Sequence, residues 1–413
     1  MKMLENIKKH GIIGSFEAIH NRLCWNLNNK LIIFFRILPI NKNLIIFESE
    51  GDLSDNSYAL FDYLNKNGYL NKYKVVWLVD DLESARKKKY LNTKYFYKVP
   101  KYIDLERAFY LATCHWYIYD HCNLLAPIKK RNGCFVINLW HGVGYKSRKG
   151  SSSDSDKSSF DMLVSLGTLS SEFLSYFCEC SLDKIQVLGY PRIDYFFKTS
   201  RNNEELFKYM FKSNPKKVIF WMPTFRQSAS KLLSENYKLG NTGLPILYDF
   251  ECIKQFNSFL QKIDVVVVIK IHHLQASLPV FNKKYTNLIF LHDEDLAKFG
   301  LQLYEFIPYA DALITDYSSI AVDYLVLDRP IIFTLDDYEK YNGSRGLWKG
   351  NTKDYMPGAH VYNYNDFCEA IEDIVNGYDK FADKRHNLTP KYHKYIDGNS
   401  SERILEYIGI QAD

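Results

Sequence analysis

The sequence predicts an α/β protein of two doubly wound, Rossmann-like lobes facing a cleft, preceded by a helical segment. Three observations carry that prediction. Short apolar runs alternate with helix-like stretches along most of the chain, the pattern of a parallel sheet covered on both faces. The alternation breaks at the polar stretch 198–217, which carries Asn202, Asn203, Asn214 and Pro215, and then restarts. Finally, 413 residues exceed what one hydrophobic core usually serves. Two such lobes around a cleft make a GT-B type of architecture.

The elements follow from run length and period. Apolar or β-rich runs too short for a helix predict strands at 44–48, 74–79, 95–99, 116–119, 134–139, 162–165 and 185–188. Between them, helices are expected over 56–67, over 105–113 and from 170. After the break, strands are expected at 217–222, 265–271, 287–291, 312–315 and 331–335. Helices are expected over 250–262, around 301–309, and over 320–327 and 366–375. The resulting division is a basic amphipathic segment 1–42, an acceptor lobe 43–200, a donor lobe 201–390, and a C-terminal helical segment 391–413 that crosses back to the first lobe.

Composition narrows the class. A net charge of +5 is too mild for a dedicated nucleic-acid binder but suits an anionic substrate or membrane surface. The eight cysteines form no CxxC pair and read as reduced thiols, with Cys114, Cys122, Cys134 and Cys252 in expected core runs. No apolar run reaches the roughly 20 residues of a membrane span. Residues 1–42 instead mix Lys8, Lys9, Arg22, Lys30 and Arg36 with Ile12, Phe16, Leu23 and Leu31. That pattern suits a pair of interfacial helices on anionic lipid, or equally a packed helix with a solvated basic face. The small, polar run 149–159 reads as a mobile loop over the cleft, or as a plain linker.

Chemistry concentrates at strand ends, where an open α/β sheet presents groups to a ligand. His141, in Trp140-His141-Gly142-Val143-Gly144, ends one strand; Gly142 and Gly144 permit close backbone approach, and Lys146 adds charge. By itself such a histidine is more often structural than catalytic. Lys270 and His272 end a strand of the second half, and Pro223-Thr224-Phe225-Arg226 ends another. Thr315-Asp316-Tyr317-Ser318-Ser319 precedes a helix, where Ser318 or Ser319 is a natural cap and free amides favour phosphate. Arg345 and Gly346 follow the last strand of this set. Arg192 and Asp194, in Gly189-Tyr190-Pro191-Arg192-Ile193-Asp194, either face the cleft or pair across the hinge. No Asp-x-Asp metal site stands out, and a catalytic metal is not demanded, since backbone amides and cationic side chains can do its electrostatic work.

Taken in order, Trp140-His141-Gly142, Gly189-x-Pro191-Arg192-x-Asp194, Pro223-Thr224-x-Arg226, Lys270-x-His272, Thr315–Ser319 and Tyr341-x-x-x-Arg345-Gly346 resemble the CDP-glycerol glycerophosphotransferase family of teichoic-acid and capsule enzymes. The resemblance runs from about residue 44 to about 376. It implies transfer of glycerol phosphate from CDP-glycerol to a hydroxyl acceptor, with release of CMP. His141 matches the family's base and His272 its donor-phosphate histidine; Arg226, Ser318 and Ser319 match donor-binding positions. His273 and Ala359 stand where the family often carries proline. No cofactor is expected. The implied partners are a lipid-linked glycan or polyol-phosphate acceptor and an anionic membrane, with a peripheral site at its cytoplasmic face. Two enzyme alternatives share the motifs or the fold: a CDP-ribitol-dependent transferase and a GT-B sugar transferase. A non-catalytic scaffold at the lipid surface is a third reading, against which the two histidines speak.

Overall fold

The structure is a computed structural model. It describes residues 2–148, 159–198, 210–211, 215–224, 240–270, 281 and 283–412, with side chains from residue 18 onward.

Two all-parallel sheets organise the chain. The first contains β1 (Asn41–Glu48), β2 (Lys74–Val79), β3 (Thr93–Tyr97), β4 (Cys114–Tyr119), β5 (Phe135–Asn138), β6 (Met162–Ser165) and β7 (Ile185–Val187), in the order β3-β2-β1-β4-β5-β6-β7. The second contains β8 (Lys217–Trp221), β9 (Val265–Lys270), β10 (Leu288–Leu291), β11 (Ala312–Thr315), β12 (Ile331–Thr334) and β13 (Ala359–Val361), ordered β10-β9-β8-β11-β12-β13. In each sheet the winding reverses beside the first strand, between β1 and β4 and between β8 and β11. Those reversals are where the turns leaving neighbouring strands diverge and open a crevice. Central strands such as Leu44–Phe47 and Val265–Ile269 are fully buried. Near-continuous Val, Ile and Leu runs are what a doubly covered parallel sheet requires.

Several expectations need correction. The N-terminal segment is one helix, Lys2–Phe35, rather than a pair. It lies along the helix Leu105–Thr113, tied by Asn28 Nδ2 donating to the Tyr102 carbonyl at 2.9 Å. The helix expected around 301–309 is two short turns, Leu303–Phe306 and Ile307–Tyr309, because Pro308 has no N–H to continue a helix. The helix expected over 320–327 stops at Tyr324 and tightens into a 3-10 turn, Leu325–Leu327. Cys122 is exposed and Cys252 half-buried, whereas Cys114 and Cys134 are core residues. Strand β13 and the helix Ala382–Tyr392 were not anticipated from the sequence pattern.

Beyond the second sheet the chain returns to the first. Ser170 Oγ donates to the Tyr392 carbonyl at 2.8 Å. The helix Ser400–Ile408 is held at its start by Asp194, which accepts from the amides of Ser400 and Ser401, each at 2.8 Å.

Candidate active site

Strand β5 ends in a turn that no ordinary strand end would adopt. Trp140 has φ of 58°, in the left-handed region that bulky residues avoid. Three bonds offset the cost. Asn138 Oδ1 accepts from the Trp140 amide at 2.8 Å, Asn56 Nδ2 donates to the Trp140 carbonyl at 2.7 Å, and Trp140 Nε1 donates to the Gly142 carbonyl at 2.9 Å. The turn presents His141, half-buried, with Nδ1 3.0 Å from the backbone carbonyl of Asp120. A carbonyl only accepts, so Nδ1 carries the proton and Nε2 keeps its lone pair.

A second histidine, one that sequence motifs did not single out, lies against it. The His121 ring stacks on His141 with centroids 4.0 Å apart and planes 14° apart. His121 Nδ1 is 2.7 Å from Asp120 Oδ1 and its Nε2 is 2.8 Å from Glu50 Oε2. Glu50 follows β1 and Asp120 and His121 follow β4, so this group occupies the crevice where the first sheet reverses. Burial opposes charge on His121, but the hydrogen bonds to Asp120 and Glu50 outweigh it and raise its pKa to about 10. Burial and then the charge of His121 push His141 down to about 3.

The two shifts have opposite consequences for stability. The contribution of His121 is complete below the ordinary 6.5 and fades as pH rises through about 10. The contribution of His141 is complete above 6.5 and is lost as pH falls through about 3. Thermal melts should therefore show stability falling on both flanks, and replacing His141 with glutamine should remove its part of the acid-side loss.

The matching turn of the second sheet is built around Asp316. This buried carboxylate accepts from Thr224 N at 2.9 Å and Thr224 Oγ1 at 2.6 Å, which joins the ends of β8 and β11. Thr315 Oγ1 donates to the Met222 carbonyl at 2.9 Å. Thr315 and Asp316 therefore shape the crevice from beneath. Ser318 and Ser319 stand half-buried at its surface. Contrary to expectation, Ser319 occupies the cap position without a capping side-chain hydrogen bond.

The two turns meet. Gly142 has φ of 133°, and a Cβ there would collide with the side chain of Ser319 and approach Arg192 Nη2 to 3.0 Å. A Cβ on Gly144 would stand 3.4 Å from Ser319 Cα. The strand of contact continues: Trp348 N donates to the Tyr145 carbonyl at 2.7 Å, and Ser147 N donates to the Gly346 carbonyl at 3.1 Å. Lys146, exposed, bridges Leu347 and so lies beside Arg345 and Gly346. Gly142→Ala should lower stability by about 1–3 kcal/mol through backbone strain and the clash. Urea unfolding checks this, and adding Ser319→Gly should recover part of the loss.

Arg192 and Asp194 do not line a cleft. Arg192 is 3% exposed, and its guanidinium reaches Asp55 Oδ1 and Asp323 Oδ2, each at 2.6 Å. Asp323, on the helix Ile320–Tyr324 behind the second-sheet turn, also accepts from Tyr304 at 2.5 Å. Arg192 is thus a buried tie between the two halves, and Asp194 is committed to the C-terminal helix. Lys270 ends β9, half-buried. Arg226, His272 and the loop 149–158 lie outside the described residues. Among the described residues no group of three or more His, Cys, Asp or Glu side chains is arranged to hold a metal ion. The signal for His121 was present in the sequence: Asp120-His121 directly follows β4, a strand end like that of His141.

Two parallel sheets whose turns meet, one bearing histidines and the other a Ser-Ser turn, define an α/β protein with a candidate site between the sheets. Residues 31–409 match the CDP-glycerol:poly(glycerophosphate) glycerophosphotransferase family, and the chain belongs to it, an enzyme of the CDP-glycerol-dependent class. The teichoic acid poly(glycerol phosphate) polymerase of Bacillus spizizenii is 28% identical over 91% of this chain and 94% of its own length. The teichoic acid glycerol-phosphate transferase of Staphylococcus aureus is 27% identical over 89% and 93%. A variant of the wall teichoic acid polymerase TagF has the same fold, with a TM-score of 0.73 at 21% identity over 92% of this chain and 93% of that one.

Proposed function

We propose that this chain transfers glycerol phosphate from CDP-glycerol to a hydroxyl of a lipid-linked or polymeric acceptor, in teichoic acid or capsular polysaccharide synthesis. The lobes are of GT-B type, with acceptor bound to 43–200 and donor to 201–390. The observation that carries this reading is the meeting of Gly142 with Ser319, which brings His141 to the Ser-Ser turn. His141 Nε2 takes the acceptor proton as the hydroxyl oxygen bonds to the β-phosphorus. The bond from that phosphorus to the bridging oxygen breaks, and CMP leaves with the electron pair. The amides at Ser318 and Ser319, with Lys270, Arg226 and His272, stabilise charge on the transferring phosphate and on CMP. Lys146, Arg345 and Gly346, joined across the two halves, form the rim.

A peripheral position at the cytoplasmic membrane face is part of the same reading. No helix among the described residues is long and apolar enough to cross a membrane. Yet Leu23, Leu27, Ile33 and Phe34 on the N-terminal helix are exposed, as are Leu105 and Phe109 on the helix it packs against and Ile103 just before it. Exposed apolar side chains with nearby Lys30 and Lys101 suit an anionic lipid surface.

The test is to offer CDP-glycerol, CDP-ribitol and a set of UDP-sugars with a polyol-phosphate acceptor. Release of CMP with CDP-glycerol is expected. Turnover of CDP-ribitol alone, or of a UDP-sugar alone, would overturn the donor assignment, and no turnover would favour a scaffold.

A further inference from the structure

We propose that His121 is a positioning residue for the transfer: an imidazolium held between Glu50 and Asp120 that stacks on His141, fixes its ring, and keeps it unprotonated until the donor's phosphates arrive. This rests on the reading of His141 as the base.

With Glu50 and Asp120 ionised, hydrogen-bond geometry sets the charge of His121. Both ring nitrogens face carboxylate oxygens, at 2.7 Å and 2.8 Å. A carboxylate accepts, so both nitrogens must donate, and only the imidazolium does that. Asp120 orders both rings at once. Its side chain holds His121, its backbone carbonyl holds His141 Nδ1, and its second carboxylate oxygen is fixed by the Ser57 amide at 3.0 Å. Trp140 closes the other side of the His141 ring, with centroids 4.4 Å apart and planes 27° apart. A ring flip would lose the hydrogen bond from Nδ1, and a tilt would lose stacking.

The charged groups facing this pair come from four elements: Glu50 after β1, Asp55 at the start of the helix Asp55–Lys66, Asp120 after β4, and Arg192 on the turn Pro191–Asp194. Glu50, Asp55 and Asp120 support the cation on His121, while burial, His121 and Arg192 disfavour a second cation on His141 and outweigh the opposing pull of the Asp120 carbonyl and Asp55. A base sandwiched in this way stays neutral in the empty enzyme but is a weak acceptor of protons. A diphosphate arriving at the neighbouring Ser-Ser turn brings the negative charge that offsets His121, so basicity rises when the donor binds.

The test compares pH profiles and ring titrations for the wild type, His121→Gln and His121→Arg. In the wild type the acid limb of kcat/KM, which reports the free enzyme, should lie below that of kcat, which reports the complex. In His121→Gln the kcat/KM limb should move upward by more than about one pH unit toward ordinary imidazole, a loss of about tenfold on the acid side. His121→Arg, which restores the cation between the carboxylates, should keep the wild-type limb. Superimposable wild-type and His121→Gln profiles would overturn the proposal. Nitrogen-15 ring signals need no turnover: His121 should stay doubly protonated at pH 8 and His141 neutral at pH 5 in the unaltered protein. A His141 ring that titrates in the ordinary range would overturn the proposal even if the variants fail to fold. Full turnover by His141→Ala would instead remove the base assignment, while the ring titrations test the stack independently of it.

Discussion

Replacing His141 with alanine should lower turnover of CDP-glycerol by at least about a hundredfold, the usual contribution of a positioned base. Donor affinity should change little, because the donor's phosphates are assigned to the second-sheet turn rather than to the imidazole. The measurement is CMP release at saturating donor, set beside CDP-glycerol binding to the same variant by calorimetry. A substitution that weakened binding and left kcat untouched would make His141 a ligand-binding group. The alanine also removes a ring that stacks between Trp140 and His121. His141→Gln, which keeps a flat polar side chain, therefore separates loss of the base from loss of packing.

The largest effect on stability should come from Arg192→Ala. Its guanidinium bridges Asp55 and the fully buried Asp323, and the Tyr304 ring lies 4.6 Å from it. Removing one partner from a buried pair leaves an uncompensated charge, which costs about 3–5 kcal/mol. A lower midpoint in urea is expected. Asp323→Asn should lose less, since Asn still fills the site and carries no charge. Double substitution at Arg192 and Asp323 should cost less than the sum, because neither charge is stranded. If Arg192 instead bound acceptor, its loss would raise the acceptor KM and leave the unfolding midpoint in place.

Most of the fold was readable because it rests on local regularities. Runs such as Lys74–Val79 and Ala312–Thr315 are short, apolar and β-branched, and they became strands at those residues. What escaped depends on long-range contact. Strand β13 is three residues long and exists because β12 offers it an edge, with Phe333 opposite His360. The early end of the helix after Ser319 follows from its packing: Val322 gives its carbonyl to His393, seventy-one residues away.

The site divides along the same line. His141 announced itself through glycines and a tryptophan, whose shared purpose is a left-handed turn against Ser319. His121 carried no such flag beyond its place after β4. Its importance comes from Glu50, which is remote in sequence and adjacent in space. Arg192 shows the converse, since its motif pointed to a ligand while its side chain is consumed by two carboxylates. Sequence spacing locates strand-end turns well; which side chains they spend on the protein and which on substrate is decided by neighbours from other elements.

The central claim is that the histidine turn of the first sheet and the serine turn of the second enclose one diphosphate. The most direct measurement is the crystallographic position of CDP-glycerol bound to the His141→Ala protein. The β-phosphorus is expected between residue 141 and the amides of Ser318 and Ser319, close enough for an intact His141 ring to reach the attacking hydroxyl. A donor whose phosphates sit elsewhere, farther from residue 141 than one water can span, would contradict it.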